Sequence, residues 1–225
     1  MFKSNDCLIL CRNSIEMEYT EKQLQIIEVA SELFAENGFD GTSVRDIAKA
    51  ADVNIAMISY YFGSKEKLME AIFAKHSAYI QLQLEALIAD QHKEPFEKLS
   101  LMIETYLEKY FKQQCIHKIV ARSLMSNTPT PITPLLYEMK MRNHELVKKL
   151  IQEGQKKGVF KKNIDIPLLM STMMGTANQF VNSQNFYREV HNLQHLSEEE
   201  FQSLIRKKLT QHLKTIFKAI LTNED

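Results

Sequence analysis

Residues 43–67 read SVRDIAKAADVNIAMISYYFGSKEK, and this stretch decides the fold. Its apolar residues fall at helical spacing in two groups, separated by a three-residue turn at 52–54. The two groups can close on each other, which predicts two short helices and the start of a third, a helix-turn-helix unit. The first group is Val44, Ile47, Ala48 and Ala51, and the second is Val53, Ile58 and Phe62.

Mostly small side chains form the outward side of the second short helix. Its backbone can therefore approach base edges in a major groove, where DNA sequence is read. This pattern favours a DNA-binding function. The outward residues are Asn54, Ile55, Ala56, Met57, Ser59 and Tyr60.

The charge of the chain is balanced, with 28 lysines and arginines against 28 aspartates and glutamates. A net charge of zero does not favour DNA binding, since nucleic-acid binders usually carry a basic face. Within 43–67, however, cations outnumber acids, so the reading surface is slightly positive. We expect a non-specific DNA affinity below that of strongly basic binders. The local charges are Arg45, Lys49, Lys65 and Lys67 against Asp46, Asp52 and Glu66.

The N-terminal segment looks unlike the rest of the chain. We expect residues 1–17 to be a disordered tail or a mis-assigned extension, with Met17 as the alternative start. Cys7 and Cys11 are free thiols or a redox or metal pair, but no second ligand pair accompanies them, and we expect no cofactor or metal. Because no apolar run approaches the ~20 residues of a membrane span, we also expect a cytoplasmic protein without membrane contact.

Helix signals punctuate almost the whole chain, and no strand-type alternation persists after Pro95, so we predict an all-α fold. Capping pairs mark three helix starts, at Thr20 with Gln23, at Ser43 with Asp46, and in the stretch 196–201. The predicted spans are 21–37, two short helices within 43–62, 65 to about 90, a helix from Pro95 onward, 134–157, 166–182, and 198–221 after a polar link.

Residues 20–75 resemble the DNA-binding domain of the tetracycline-repressor (TetR) family. The resemblance implies a three-helix helix-turn-helix domain at 18–65, joined by a long helix to a helical ligand-binding and dimerisation domain within 66–225. The matching positions are Phe34, Gly38-Phe39, Thr42 to Ala48, Val53-Asn54, Tyr60 to Phe62, and Ser64 to Glu66.

The resemblance also implies roles for individual residues. Arg can bond guanine O6 and N7 together, and small or apolar groups can meet a thymine methyl. Tyr60 and Tyr61 have an alternative role, packing in the core of the helix-turn-helix. The implied base-edge contacts are Arg45, Asn54, Ile55, Ala56, Met57 and Ser59, and the implied phosphate contacts are Ser43, Tyr60, Tyr61 and Lys65.

Methionines are frequent in the C-terminal part of the chain. Flexible thioethers suit an adaptable apolar cavity with a few polar groups, although ordinary core methionines explain the same pattern. Gly175 likewise makes room for a ligand or lets a partner helix approach. The candidate residues for an apolar small ligand are Met102, Tyr106, Tyr110, Arg122, Met125, Met139, Met170, Met173, Met174 and Asn178.

Two functions remain open. The first is a ligand-released repressor that binds a near-palindromic double-stranded operator as a homodimer through the helices at 167–182 and 198–221. The second is a constitutive or protein-regulated DNA-binding dimer without an inducer. An enzyme is not expected, because Ser64 and Lys67 match an acylating Ser-x-x-Lys pattern without its companion motifs, and Ser64 is placed to cap a helix.

Overall fold

A computed structural model describes residues 19–125 and 129–223, with the backbone alone at 76–80. These residues form ten helices and no strand, which confirms the all-α prediction. The expectations for the segment 1–17 lie outside the described residues. The helices are α1 (Glu21–Asn37), α2 (Val44–Ala50), α3 (Ile55–Phe62), α4 (Lys65–Ala89), α5 (Pro95–Lys112), α6 (Gln114–Met125), α7 (Thr133–Lys156), α8 (Ile166–Asn182), α9 (Gln184–Val190) and α10 (Glu198–Leu221).

Local capping fixes several helix starts where the sequence predicts them. At α1 the Gln23 N–H donates to the Thr20 hydroxyl, and the Thr20 N–H donates to the Gln23 side chain at 2.8 Å. Ser197 and Glu200 make the same reciprocal pair at α10. Each pair satisfies backbone N–H groups that the first turn of a helix leaves without an internal partner.

Two features of the helical order are absent from the sequence prediction. The chain turns at Gln113, with φ of −121° and ψ of 45°, so that α5 ends and α6 begins without a glycine or proline. The polar link before 198 contains the short helix α9, whose C-cap is His191. Neither the boundary between α5 and α6 nor the start of α9 is marked by a glycine or proline, so helical periodicity alone does not reveal them.

The chain divides into two compact units. The first contains the described residues through Gln83 together with Gln114–Lys140, and the second contains Leu84–Gln113 with the described residues from Met141 onward. Both α4 and α7 contribute residues to each unit. The range Gln114–Lys140 also brings α6 into the first unit, although α6 lies far from the helix-turn-helix in sequence.

Each unit has its own apolar core. In the first, α1 to α4 surround side chains such as Phe34, Ile47 and Ile58, and α6 adds Ile116 and Ile119 to the same cluster. In the second, residues from α5, α7, α8 and α10 pack together. The fully buried members there include Leu99, Ile103, Leu150, Phe201 and Phe217.

None of the described helices combines the length with the apolar composition that a membrane crossing requires.

Candidate DNA-binding surface

The turn between α2 and α3 has a fixed backbone geometry. The Val53 N–H donates to the Ala48 carbonyl at 3.0 Å, and the Asp52 N–H donates to the Lys49 carbonyl at 3.3 Å. Two bonds in this arrangement form a Schellman motif, which ends a helix with one residue in the left-handed region. Asp52 is that residue, with φ of 48°. The turn therefore sets the direction in which α3 leaves α2.

The two sides of α3 differ sharply in exposure. Ile58 is 1% exposed and lies in the core, whereas Tyr60 on the opposite side is 84% exposed. Met57 is half-buried between them. At 100° per residue, positions i, i+1, i+4 and i+5 fall within an arc of about 140°. The exposed row on this arc is Ile55, Ala56, Ser59 and Tyr60.

Two polar residues for which the family resemblance implies DNA contacts also cap helices. The Ala56 N–H donates to the Asn54 Oδ1 at 2.9 Å, which occupies only one end of the side-chain amide. The Ser43 hydroxyl accepts from the Asp46 N–H at 3.1 Å and donates to the Asp46 carboxylate at 2.5 Å. That bond from Ser43 holds the pKa of Asp46 below its usual range. Capping fixes both side chains at the surface that would face DNA.

The two tyrosines of α3 have different environments. Tyr61 is half-buried and packs against the core of the first unit. Tyr60 is exposed, and its ring meets that of Tyr61 edge to face, with centroids 5.2 Å apart. Tyr61 thus contacts the core while staying partly exposed, and Tyr60 is exposed to solvent.

The four cations of this region differ in their contacts. Arg45 and Lys49 are exposed on α2. The Lys67 ammonium lies 2.7 Å from the Glu70 carboxylate. The Lys65 ammonium donates to carbonyl oxygens of the loop between α1 and α2. If this surface binds DNA, we expect only a few strong phosphate contacts.

The loop between α1 and α2 is held by contacts that the sequence did not reveal. Thr42 is 1% exposed, and its hydroxyl donates toward the carbonyl oxygens of Gly38 at 2.8 Å and Leu33 at 3.2 Å. A side chain at Gly41 would place its Cβ 2.4 Å from the Asn37 carbonyl oxygen, so only glycine fits there. This loop places Ser43, the first residue of the predicted DNA surface.

The ten predicted ligand residues divide between the two units. Arg122, Met125 and Met139 belong to the first unit, where the Arg122 guanidinium donates to the Glu36 carbonyl at 2.9 Å and Met125 is 85% exposed. The other seven belong to the second unit, and several of them are part of its core or pack against it. These seven are Met102, Tyr106, Tyr110, Met170, Met173, Met174 and Asn178.

Polar groups on α5 lie among these apolar side chains. The Tyr110 hydroxyl donates to the Asn178 Oδ1 at 3.1 Å. Burial raises the pKa of Tyr106 and of Tyr110, and burial lowers the pKa of Lys109 to about 8. Lys109 was not among the residues predicted from the sequence. Lys109 is therefore a partly buried amine on α5.

Two cavities lie within the individual units. One of about 200 Å³ in the first unit is bordered by α1, the loop after it and α6. One of about 720 Å³ in the second unit lies between α8, α9 and α10, and Gly175 forms part of its wall. The seven ligand residues predicted in the second unit do not line this larger cavity. Its polar lining residues include Gln179, Ser183, Lys208 and His212.

Two family models match the chain. The model described as bacterial regulatory proteins of the tetR family matches residues 26–72. The model described as the C-terminal region of YsiA-like proteins matches residues 73–207. The first match contains the whole helix-turn-helix, and the second spans more than half of the chain.

Comparison with individual proteins agrees with these matches. The Bacillus subtilis (strain 168) protein named "Probable HTH-type transcriptional regulator YttP" is 33% identical over 133 residues, which are 59% of this chain and 64% of that protein. The Mycobacterium tuberculosis ketosteroid regulator KstR2 has a similar structure, with a TM-score of 0.67, 19% identity, and coverage of 92% of this chain and 97% of that chain. The Bacillus subtilis regulator FadR, solved in complex with stearoyl-CoA, has a TM-score of 0.63, 23% identity, and coverage of 85% and 97%. At these identities the two structures show a shared fold.

Proposed function

Because the chain belongs to the tetR family of bacterial regulatory proteins and is a DNA-binding transcriptional regulator, we propose that it is a repressor that a small apolar molecule releases from its operator. The observation that carries the DNA-binding part is the exposed row on α3, aimed by the Schellman turn at Asp52. The proposed place of action is the bacterial cytoplasm, where the operator DNA lies. No catalysis is proposed for Ser64, whose hydroxyl accepts from the Lys67 N–H as a helix cap at 3.2 Å.

In the proposed complex α3 lies in the major groove of the operator. Small side chains on its exposed row let the backbone come close to the bases, and Ile55 offers an apolar surface to a thymine methyl. Arg45, exposed on α2, is the proposed guanine contact. Bases would also be met by Asn54, Ala56, Met57 and Ser59, and phosphates by Ser43, Tyr60 and Tyr61.

We further propose a homodimer formed through α8 and α10. The core of the second unit already contains most of the apolar residues of α10, so fewer are available to a partner than the sequence pattern suggests. Of the remainder, Leu204 and Ile216 are half-buried and Ile220 is 39% exposed. The cavity between α8, α9 and α10 adds support, because Gly175 leaves an open wall where a second copy could lie. Two-fold symmetry would match a near-palindromic operator.

The proposed inducer is mainly apolar and binds in the second unit. Met102, Tyr106 and Met173 provide adaptable apolar surface, and the hydroxyl of Tyr110 and the amine of Lys109 provide sparse polar groups. The compared structures suggest two probes. FadR was solved with stearoyl-CoA, and KstR2 is described as a ketosteroid regulator.

A second function has its own support in the structure. Met102, Tyr110 and Met173 are each at most 7% exposed and fill the core of the second unit, as ordinary core residues do. A DNA-binding dimer without an inducer would need no cavity at these residues. This alternative predicts operator binding that responds to neither probe.

The test begins with selection of an operator from random duplexes by the wild-type chain. Stearoyl-CoA or a ketosteroid is then titrated into the free protein and into the operator complex. If the ligand-released model holds, one probe weakens operator binding by about 1–3 kcal/mol, and the operator weakens binding of that probe equally. Failure to select any duplex would contradict DNA reading. Tight operator binding that neither probe changes would favour the unregulated dimer.

A further inference from the structure

Lys65, the first residue of α4, is bound to the loop that precedes α2. Its ammonium donates to the Phe39 carbonyl at 2.8 Å and to the Thr42 carbonyl at 3.0 Å. The same nitrogen lies 4.2 Å from the centroid of the Phe39 ring. All three contacts reach one loop more than twenty residues earlier in the chain.

The loop that receives these contacts is itself fastened to α1. The buried Thr42 hydroxyl donates toward carbonyls at the end of α1, and Gly41 allows the backbone to approach Asn37 closely. Thr42 directly precedes Ser43, the N-cap of α2. A bond to the Thr42 carbonyl therefore fixes the start of α2 relative to the first turn of α4.

The geometry leaves Lys65 poorly placed to act mainly on DNA. An ammonium has three hydrogens, and two of them point at carbonyl oxygens of the protein. The aromatic face of Phe39 attracts the same charge. A neighbouring lysine, Lys67, lacks any such contact with the loop and pairs instead with Glu70 on the surface of α4.

We propose that Lys65 is a positioning residue, which pins the start of α2 to the start of α4 and thereby holds Arg45 and the α3 row in the orientation that reads the operator. This rests on the proposed function, since it assumes that α2 and α3 read DNA. Lys65 then acts through the α1–α2 loop, and the number of phosphates neutralised does not depend on it. Movement of the first turn of α4 is passed directly to α2 through this residue.

The test compares three variants on the selected operator and on random duplexes over a series of salt concentrations. Lys65→Met removes the charge and both hydrogen bonds at similar length. Lys67→Met removes the neighbouring charge and is the matched control. Phe39→Leu keeps the lysine but removes the ring beneath it, so it still tests the proposal if Lys65→Met unfolds.

A positioning role gives a specific set of results. Lys65→Met weakens operator binding by about tenfold while the slope of log K against log salt stays unchanged, since no phosphate contact is lost. Phe39→Leu weakens operator binding in the same direction, and its effect combined with Lys65→Met is smaller than the product of the single effects. Lys67→Met leaves the operator-to-random affinity ratio unchanged.

Two results would overturn the proposal. One is a fall of about 1 in the salt slope of Lys65→Met with an equal loss on operator and random duplexes, which marks a phosphate contact. The other is wild-type operator affinity in both Lys65→Met and Phe39→Leu. If the wild-type chain binds no duplex, the proposed function fails. Amide hydrogen exchange at residues 43–47 then tests by itself whether Lys65 holds the start of α2. If it does, these amides exchange faster in Lys65→Met than in Lys67→Met.

Discussion

The ammonium of Lys98 lies 2.8 Å from the carboxylate of Glu153, and the lysine side chain is wholly buried while 28% of the glutamate side chain is exposed. The same ammonium donates to the Ile88 carbonyl at 3.0 Å. One buried cation therefore joins the end of α4 to α5 and α7 inside the second unit. Substitutions that remove one of the two charges should strongly lower the stability of that unit.

Glu153→Gln should lower the free energy of unfolding by about 3 kcal/mol, because it leaves the buried Lys98 ammonium without its counter-charge. The double variant Lys98→Met with Glu153→Met removes both charges and should recover most of that loss. Urea unfolding of the full chain measures both. A loss below about 0.5 kcal/mol for Glu153→Gln would show that the pair behaves like a surface ion pair.

The same pair predicts a pH dependence. The hydrogen bond from Lys98 holds the pKa of Glu153 below its ordinary value of 4.5. A carboxyl group with a lowered folded-state pKa stabilises the fold fully above its unfolded pKa and loses that contribution as pH falls through the folded value. The stability difference between wild type and Glu153→Gln should be constant above about pH 5 and shrink below about pH 4.5. A difference that grows with acidification would contradict this assignment.

Arg45→Ala should weaken operator binding by about 1–3 kcal/mol and relax the preference at one base pair, since a bidentate guanine contact is lost. Arg45→Lys is the matched control, because it keeps the charge but loses the planar fork. Arg45→Lys should bind random duplexes as tightly as the wild type does, while its preference at that base pair stays relaxed. Titrations on the operator and its single-base variants measure this. An unchanged base preference in Arg45→Ala would show that Arg45 does not contact a base.

Asp52→Val should destabilise the first unit by about 1–2 kcal/mol, since a β-branched residue fits the left-handed region poorly. Asp52→Gly adopts this conformation without that penalty and serves as the control. Because the turn aims α3, operator affinity should fall in Asp52→Val and persist in Asp52→Gly. Thermal unfolding and operator titration measure the two effects. Equal behaviour of the two variants would mean that the turn does not depend on the φ of 48° at this residue.

Leu168→Glu on α8 and Ile220→Glu on α10 should shift the proposed dimer towards monomer, because each places a charge on an exposed apolar position of the predicted interface. Val190→Glu changes a comparably exposed position on α9 and is the control. Sedimentation at micromolar concentration measures the effect, and operator affinity should fall with the dimer fraction. If both variants sediment as the wild-type dimer does, the interface lies on other helices.

Much of the fold follows from short-range signals in the sequence. Capping pairs such as Thr20 with Gln23 and Ser43 with Asp46 are three residues apart, so their chemistry can be read without knowing the tertiary structure. The apolar spacing of 43–62 likewise predicts which side of α3 turns inward, and the structure places Ile58 in the core and Tyr60 outside. The sequence by itself determined the all-α class, most helix starts and the outward row of α3 except Met57, which was predicted to face outward and is half-buried.

Only the tertiary structure decided which distant groups meet. Lys65 reaches a loop 26 residues earlier, Lys98 pairs with Glu153 across 55 residues, and Arg122 reaches a carbonyl 86 residues away. A lysine or arginine in a sequence carries the same charge in each setting, and its partner depends on how the helices pack. For that reason the sequence could not show that Lys65, a phosphate contact implied by the family resemblance, and Arg122, a predicted ligand contact, both donate to backbone carbonyls of the first unit.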